Sequence, residues 1–330
     1  MKSGKWLGER KIIEIIQSHL DLMSKMSIPF GDDVSAYDIG NGNLAVLKTD
    51  MLVDKTDVPP KMSLWQAARK AVVMNVSDFA AKGVKPLAIL VSLGLPKSLN
   101  TKDNIEQIAS GLNAGAREYD TYILGGDTNE ASDLVISLSL FGIGKKNKIM
   151  LRDGAKVGDI VAVTGLFGKT SAGLKILLSN FETSREIREI LIDSVLMPHA
   201  RLKEGLALKS TGAVTAAIDS SDGLAWSLHE IAKASKVGFL ISKLPTAVEV
   251  EKFAKCNKLS LLELTLYGGE EYELVLTVKP TLWNRAQKAV EDVGGQLLPI
   301  GKVTAQRHVR LEVKSKRHVL EARGWEHFKK

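Results

Sequence analysis

The sequence predicts a two-domain protein of the α/β or α+β class. Three observations carry this. Helical and strand periodicities are mixed in both halves of the chain. Its 330 residues are enough for two ordinary domains. A polar, glycine-containing stretch, KKNKIMLRDGAKVGD, separates the halves, and the boundary falls there, giving domains 1–147 and 148–330.

Taken in order, residues 9–26 place Ile12, Ile13, Ile15, Ile16 and Leu20 at helical spacing. GDDVSAYDI and GNGNLAVLKTDML read as a hairpin of two strands. SLWQAARKAVVMNVSDFAAKG reads as a helix, capped by Ser63 and stopped by Gly83. PLAILVSLGLP is a strand and NIEQIASGLNAGAREY a helix; TYILGGD and LVISLSLFGIG are strands. The second half opens with the strand DIVAVTG and the helix SAGLKILLSN. Then come the helical FETSREIREILIDSVL, the turn MPHAR and the strand AVTAAID. SSDGLAWSLHEIAKAS reads as a helix, and YGGEEYELVLTV as a turn entering a strand.

Composition narrows the function classes. Apolar content of 45% and charged content of 25% are those of a globular protein. No apolar run reaches membrane-spanning length, and the N-terminus lacks the apolar core of a secretory signal. One cysteine, Cys256, rules out an intrachain disulfide framework, so the cytoplasm is the expected compartment. The net charge of +7 is scattered, with no basic block, and aromatics are only 5%. That argues against a nucleic-acid platform and suits anionic small molecules.

One stretch, VTGLFGKTSAGL, ends in the G-K-T of a phosphate-binding loop. A P-loop needs four residues between its glycines, and Gly165 and Gly168 have two. The position that should be glycine is Val163. The stretch therefore reads as a strand–turn–helix connection, and any nucleotide chemistry sits elsewhere.

The informative feature is a set of aspartates expected at element ends: Asp33, Asp50 beside Thr49, Asp78, Asp127, Asp219 and Asp222. Alone, each is an ordinary cap or turn residue. Together on one rim they would repel one another unless cations lie between them. Oxygen ligands without a His or Cys cluster select a hard cation, Mg²⁺ above all. Asn75 and Asp78 share a helix face. Gly125 and Gly126 before Asp127, and Gly268 and Gly269 before Glu270, permit close backbone approach or simply a tight turn.

GDDVSAY, KTDMLV, AVVMNVSDFAAKGVKP, LGGDT, LRDGAKVGDIVAVTGLFGKTSAGL, MPHAR, IDSSDGL, GGEEYEL and GWEHF stand in this order over nearly the whole chain. With these segments the chain resembles the thiamine-monophosphate kinases of the aminoimidazole ribonucleotide synthetase superfamily. The resemblance implies two α/β domains, with the N-terminal sheets pairing across a homodimer and a C-terminal α/β sandwich. It implies transfer of the γ-phosphoryl group of ATP onto thiamine monophosphate, the last step of thiamine diphosphate synthesis, with several Mg²⁺ ions. By motif, Asp33, Thr49, Asp50, Asp78, Asp127, Asp219 and Asp222 would ligate Mg²⁺, with Asp78, Asp127 and Asp222 catalytic. Gly126, Asp127, Arg152 and Ser221 would touch ATP. Asp57, Glu270 and Trp325 would line the substrate site.

The chain departs from the family pattern at four places. Lys48 replaces a usual Ser, Asp57 a usual His, Ser220 a usual apolar residue, and Glu271 a usual Asp. Related chemistries fit less well. A selenide dikinase would want a reactive N-terminal cysteine, and a hydrogenase-maturation protein a C-terminal one. GWEHF argues against a synthetase. A silent or nucleic-acid-binding relative would not keep an acidic groove that repels phosphates.

Overall fold

A computed structural model describes residues 7–179 and 181–328. Asn180, which the sequence places at the end of a helix, lies outside the described residues. The first half contains α1 (Glu9–Gln17), β1 (Ser35–Gly40), β2 (Asn43–Val53), the single turn α2 (Asp54–Asp57), α3 (Leu64–Lys82), β3 (Pro86–Leu95), α4 (Lys102–Glu118), β4 (Ile123–Glu130) and β5 (Val135–Lys145). Its sheet has the order β1-β2-β5-β3-β4, antiparallel except for the parallel β3–β4 pair.

The second half contains β6 (Ile160–Val163), α5 (Lys169–Ser179), α6 (Arg185–Leu196), α7 (Leu202–Thr211), β7 (Val214–Asp219), α8 (Leu224–Ser235), β8 (Gly238–Ile241), α9 (Val248–Asn257) and α10 (Leu261–Tyr267). It closes with β9 (Leu274–Val278), α11 (Trp283–Glu291), β10 (Leu298–Thr304), β11 (Val309–Val313) and β12 (Lys316–Val319). Seven strands form one mixed sheet, β12-β11-β8-β10-β6-β9-β7.

α3 joins the halves. A capping box opens it: Ser63 accepts from the Gln66 N–H, and the Gln66 side chain accepts from the Ser63 N–H. Gly83, at φ 62°, closes it in the left-handed conformation. The helix is buried almost throughout and packs against α4, α7, β2 and β5 of the first sheet, and β7 of the second. The largest apolar core accordingly mixes both halves, placing Val72 and Phe79 with Leu138, Leu140, Ala217 and Leu276. A second core forms around α8 and the second sheet, with Leu228, Phe239, Ile241 and Val275.

Strand alternation divides β2 cleanly. Leu44, Val46 and Leu52 face α3 and are buried, and Lys48 and Asp50 share that face. Leu47, Thr49 and Met51 point outward and are exposed or nearly so.

The structure corrects several sequence expectations. The first helix ends at Gln17, not near residue 26. There the Ser18 hydroxyl and the His19 ring both bond the Ile15 carbonyl, and the His19 N–H turns to Ile16. Local side-chain bonds of this kind compete with helix continuation. Asp50 and Asp127 do not end their strands. β2 stays paired with β5 through Val53, and β4 with β3 through Glu130. Helix α8 starts at Leu224, so Asp219 closes β7 and Asp222 sits in the intervening turn. α2, α7, α9, α10, α11, β8, β10, β11 and β12 have no counterpart in the sequence reading. Among them, β8, β11 and β12 have four or five residues, too few for their periodicity to stand out.

Candidate active site

Three carboxylates meet where β7, α3 and the turn before β1 converge. Asp33, Asp78 and Asp219 are buried, and each offers an oxygen within 4.8 Å of the others. Each arrives for a local reason. Asp78 lies on α3 one residue after Ser77, whose hydroxyl donates to Asp219 Oδ2 at 2.8 Å. Asp219 is the last residue of a strand whose final four residues, Ala216 to Asp219, are buried. Asp33 is fixed by Arg152, whose Nε donates to Asp33 Oδ1 at 2.7 Å and whose Nη2 donates to the same oxygen.

Cations surround this cluster. Lys82 of α3, fully buried, lies 2.5 Å from Asp32 and 2.8 Å from Asp33, and donates to the Ala217 carbonyl at 2.9 Å. Lys48, largely buried, lies 3.2 Å from Asp50 and 3.0 Å from Asp78. Asn75 accepts from the Asp50 N–H at 2.9 Å and donates to the Ala71 carbonyl, clamping β2 onto α3.

The carboxylates feel opposing forces. Burial pushes Asp33 up, but Lys82 and Arg152 outweigh it and hold the group below its ordinary range. Burial raises Asp219 to about 7, with Asp33 repelling it further and Ser77, Lys48 and Arg152 opposing. Burial also raises Asp78, against the pull of Lys48 and with repulsion from Asp219, Asp50 and Asp33. Clustered oxygen donors that resist ionisation side by side suit a hard divalent cation, and the donor set fits Mg²⁺.

Beside the triad lies a cleft of about 310 Å³ lined by Arg152, Asp219, Ser221, Asp222, Trp226 and Trp325, among others. Burial, with repulsion from Glu9, lifts Asp222 to about 6. The cleft is closed from two sides by the chain ends. Arg10 of α1 stacks over the Trp226 ring at 3.2 Å. The Trp325 N–H donates to the Asp222 carbonyl at 3.0 Å, while its side chain stays 56% exposed.

The residues expected at the substrate site are linked. Glu270, at φ 64°, donates its N–H to the Ser221 carbonyl at 2.6 Å, tying the GGE turn to the triad's turn. Its side chain lies 2.5 Å from Lys70, which also donates to the Asp57 carbonyl at 2.7 Å. The Asp57 carboxylate accepts from the Val53 N–H at 2.7 Å. A Cβ on Gly269 would sit 2.6 Å from the Ser221 carbonyl and 3.5 Å from Trp325 Cβ, so Trp325 adjoins this turn.

Two expected ligands lie apart. The Thr49 hydroxyl faces out of the sheet and donates to the Leu138 carbonyl at 2.9 Å. Asp127 is exposed on β4 and is not among the carboxylates that cluster within 4.8 Å. The neighbouring Gly126 is required by packing: a Cβ there would come within 1.9 Å of the Val91 carbonyl. Sequence reasoning missed Asp32, Ser77, Lys70, Lys82 and Arg10. A signal for two of them was present. Lys70, Asp78 and Lys82 are spaced by eight and four residues along a helix buried almost throughout, which puts them on one side of it.

The G-K-T turn also has its answer. The Gly168 N–H donates to Glu271 Oε1 at 2.6 Å and the Thr170 N–H at 3.3 Å. The Thr170 hydroxyl donates to the Gly269 carbonyl at 2.7 Å. The amides that would cradle a phosphate in a P-loop hold the chain's own carboxylate.

Residues 31–145 match the family described as AIR synthase related protein, N-terminal domain, and residues 156–314 match its C-terminal domain. The thiamine-monophosphate kinase of Nitrosopumilus maritimus is 38% identical over 323 residues, covering 98% of this chain and 99% of the relative. That of Pyrococcus abyssi is 37% identical over 324 residues, covering 98% and 96%. Among solved structures, "AaThiL complexed with AMPPCP and TMP" superimposes with a TM-score of 0.84 at 29% identity, covering 98% of this chain and 97% of that one. The thiamine monophosphate kinase from Aquifex aeolicus gives 0.79 at 27% identity, covering 93% and 97%. Sequence likeness over nearly the full length and the shared two-sheet fold lead to one conclusion: the chain belongs to the thiamine-monophosphate kinase family of the AIR synthase related proteins.

Proposed function

We propose that the protein transfers the γ-phosphoryl group of ATP onto thiamine monophosphate, giving thiamine diphosphate and ADP. The observation that carries this is the Asp33–Asp78–Asp219 cluster opening beside the cleft of Arg152, Ser221 and Trp325. In the reaction a terminal phosphate oxygen of thiamine monophosphate bonds to the γ-phosphorus. The bond from that phosphorus to the β,γ-bridging oxygen breaks, and ADP leaves with the electron pair. The nucleophile is already an anionic oxygen, so no general base is needed.

The barrier is then mostly one of bringing anions together in line. Mg²⁺ held by Asp33, Asp78 and Asp219, with Asp50 and Asp222 adjoining, would offset phosphate charge and align the two groups. Arg152 adds a fixed positive charge at the cleft wall. Ser221, held by the Glu270 N–H, presents its hydroxyl to the nucleotide. Trp325 gives the cationic thiazolium an aromatic face, and Glu270 and Asp57, joined through Lys70, border the same side. Thr49, Gly126 and Asp127 remain part of this assignment by motif; the cluster does not depend on them.

A second copy of the chain completes the picture. The outer face of the first sheet exposes Tyr37, Leu47, Met51, Leu90, Leu124 and Ile143, an apolar surface suited to pairing as a homodimer.

The direct test is a ³¹P NMR time course with ATP, Mg²⁺ and thiamine monophosphate against a no-acceptor control. ADP and thiamine diphosphate should appear one for one. An acceptor signal that never changes while ATP is consumed would remove this substrate.

A further inference from the structure

The acidic site carries its own cation. On the inner face of β2, among Leu44, Val46 and Leu52, Lys48 reaches toward α3 and lies 3.0 Å from Asp78 and 3.2 Å from Asp50. It bridges two elements rather than two neighbours on one. Lys82 and Arg152 serve the other side of the cluster, at Asp32 and Asp33. With all five ionised, the carboxylates of Asp32, Asp33, Asp50, Asp78 and Asp219 face three fixed cations and leave an excess of two negative charges. One divalent ion cancels that excess. Without Lys48 the excess would be three, and the oxygens it now engages would be open to a second ion.

We propose that Lys48 is a positioning residue that stands in for the charge of a divalent ion at the Asp50–Asp78 side of the site. It keeps these carboxylates apart and ordered before nucleotide arrives, and it lowers the number of divalent ions the free protein takes up. Its cost is that it competes with metal for Asp78. The proposal rests on the metal-dependent reading of the site given above.

The test counts ions on the full chain without nucleotide, using Mn²⁺ alone and electron paramagnetic resonance of the unbound ion. Parent, K48S and K48R are compared. K48S should bind one more Mn²⁺ per chain, or bind it on the order of tenfold more tightly, because one unit charge has left the ion's immediate surroundings. K48R keeps the charge and should match the parent. In EDTA, K48S should melt below the parent, and excess Mg²⁺ should narrow that gap. If K48S does not fold without metal, K48Q, neutral and of similar reach, is counted in its place after purification in Mg²⁺. Equal Mn²⁺ uptake by the parent and the neutral variant would overturn the role of Lys48 and leave the kinase reading intact. No Mn²⁺ uptake by either the parent or the neutral variant would overturn the divalent-ion reading of the cluster together with the role of Lys48, while the kinase reading is decided separately by the ³¹P time course.

Discussion

Two regions of this protein hold carboxylates in opposite ways. At the G-K-T turn a single group, Glu271, accepts the N–H groups of Gly168 and Thr170 and is complete within the chain. At the junction of α3, β2 and β7, Asp33, Asp78 and Asp219 crowd within 4.8 Å, and the lysines and arginine around them leave negative charge over. The first arrangement is structural, because two backbone N–H groups of the chain engage the carboxyl without a further ligand. The second leaves negative charge that the proposed divalent cation would offset. A phosphate-like motif and the candidate site for phosphate chemistry are thus different places in this chain. What separates them is whether the protein supplies all the partners itself.

The comparison can be broken most forcefully at Asp78. Asp78→Asn removes one of three clustered donors while keeping shape, and turnover should fall by about a thousandfold, the scale of losing one preorganised electrostatic contact. Thermal unfolding should remain cooperative. Near-full activity in that variant would mean that the cluster is not where the reaction occurs.

Glu271 gives the next largest effect, on stability instead of turnover. Burial raises its folded value from 4.5 to about 7, against the lowering effect of the Thr170 and Gly168 bonds. A folded value above the unfolded one means that ionisation favours the unfolded chain. The contribution is therefore full below about pH 4.5, falls as pH climbs to about 7 and is flat beyond. Glu271→Gln keeps an acceptor oxygen and removes the titration. The stability difference between parent and variant should shift by roughly 2–3 kcal/mol from pH 5 to pH 8. Parallel denaturation curves across that range would show that Glu271 is not held as described.

The smallest effect is expected at Ser220, in the turn between the two regions. Its hydroxyl is buried with no hydrogen-bond partner among the described residues. Ser220→Ala should be stabilising by on the order of 1 kcal/mol, since an unpaired buried hydroxyl is removed. A loss of stability on urea denaturation would reveal a partner that the carboxylate-rich surroundings supply.

Much of this was legible in the sequence. The caps of α3 at Ser63 and Gly83 were, because capping is a local transaction between residues three or four apart. The missing glycine at Val163 excluded a P-loop correctly, and the order of the acidic motifs pointed to the family. The hairpin of β1 and β2, and the helices and strands up to α8 other than α2 and α7, followed from periodicity. The short strands β8, β11 and β12 did not, because each is too brief to show a period and owes its conformation to its neighbours in the sheet.

The site divides the same way. The sequence by itself determined which carboxylates exist, and that no histidine or cysteine cluster competes with them for a metal. Only the tertiary structure decided which of them meet. Asp33, Asp78 and Asp219 are 45 and 141 residues apart along the chain and come together because α3 packs against both sheets. Asp127 and Thr49, equally prominent as motif residues, fall on an exposed strand and on an outward face. The balancing role of the lysines was not read from the motifs: Lys48 stood out only as a departure, and Lys82 only through its spacing from Asp78 on α3. A buried ammonium is tolerable only where folded carboxylates surround it, and that surrounding is a property of the fold.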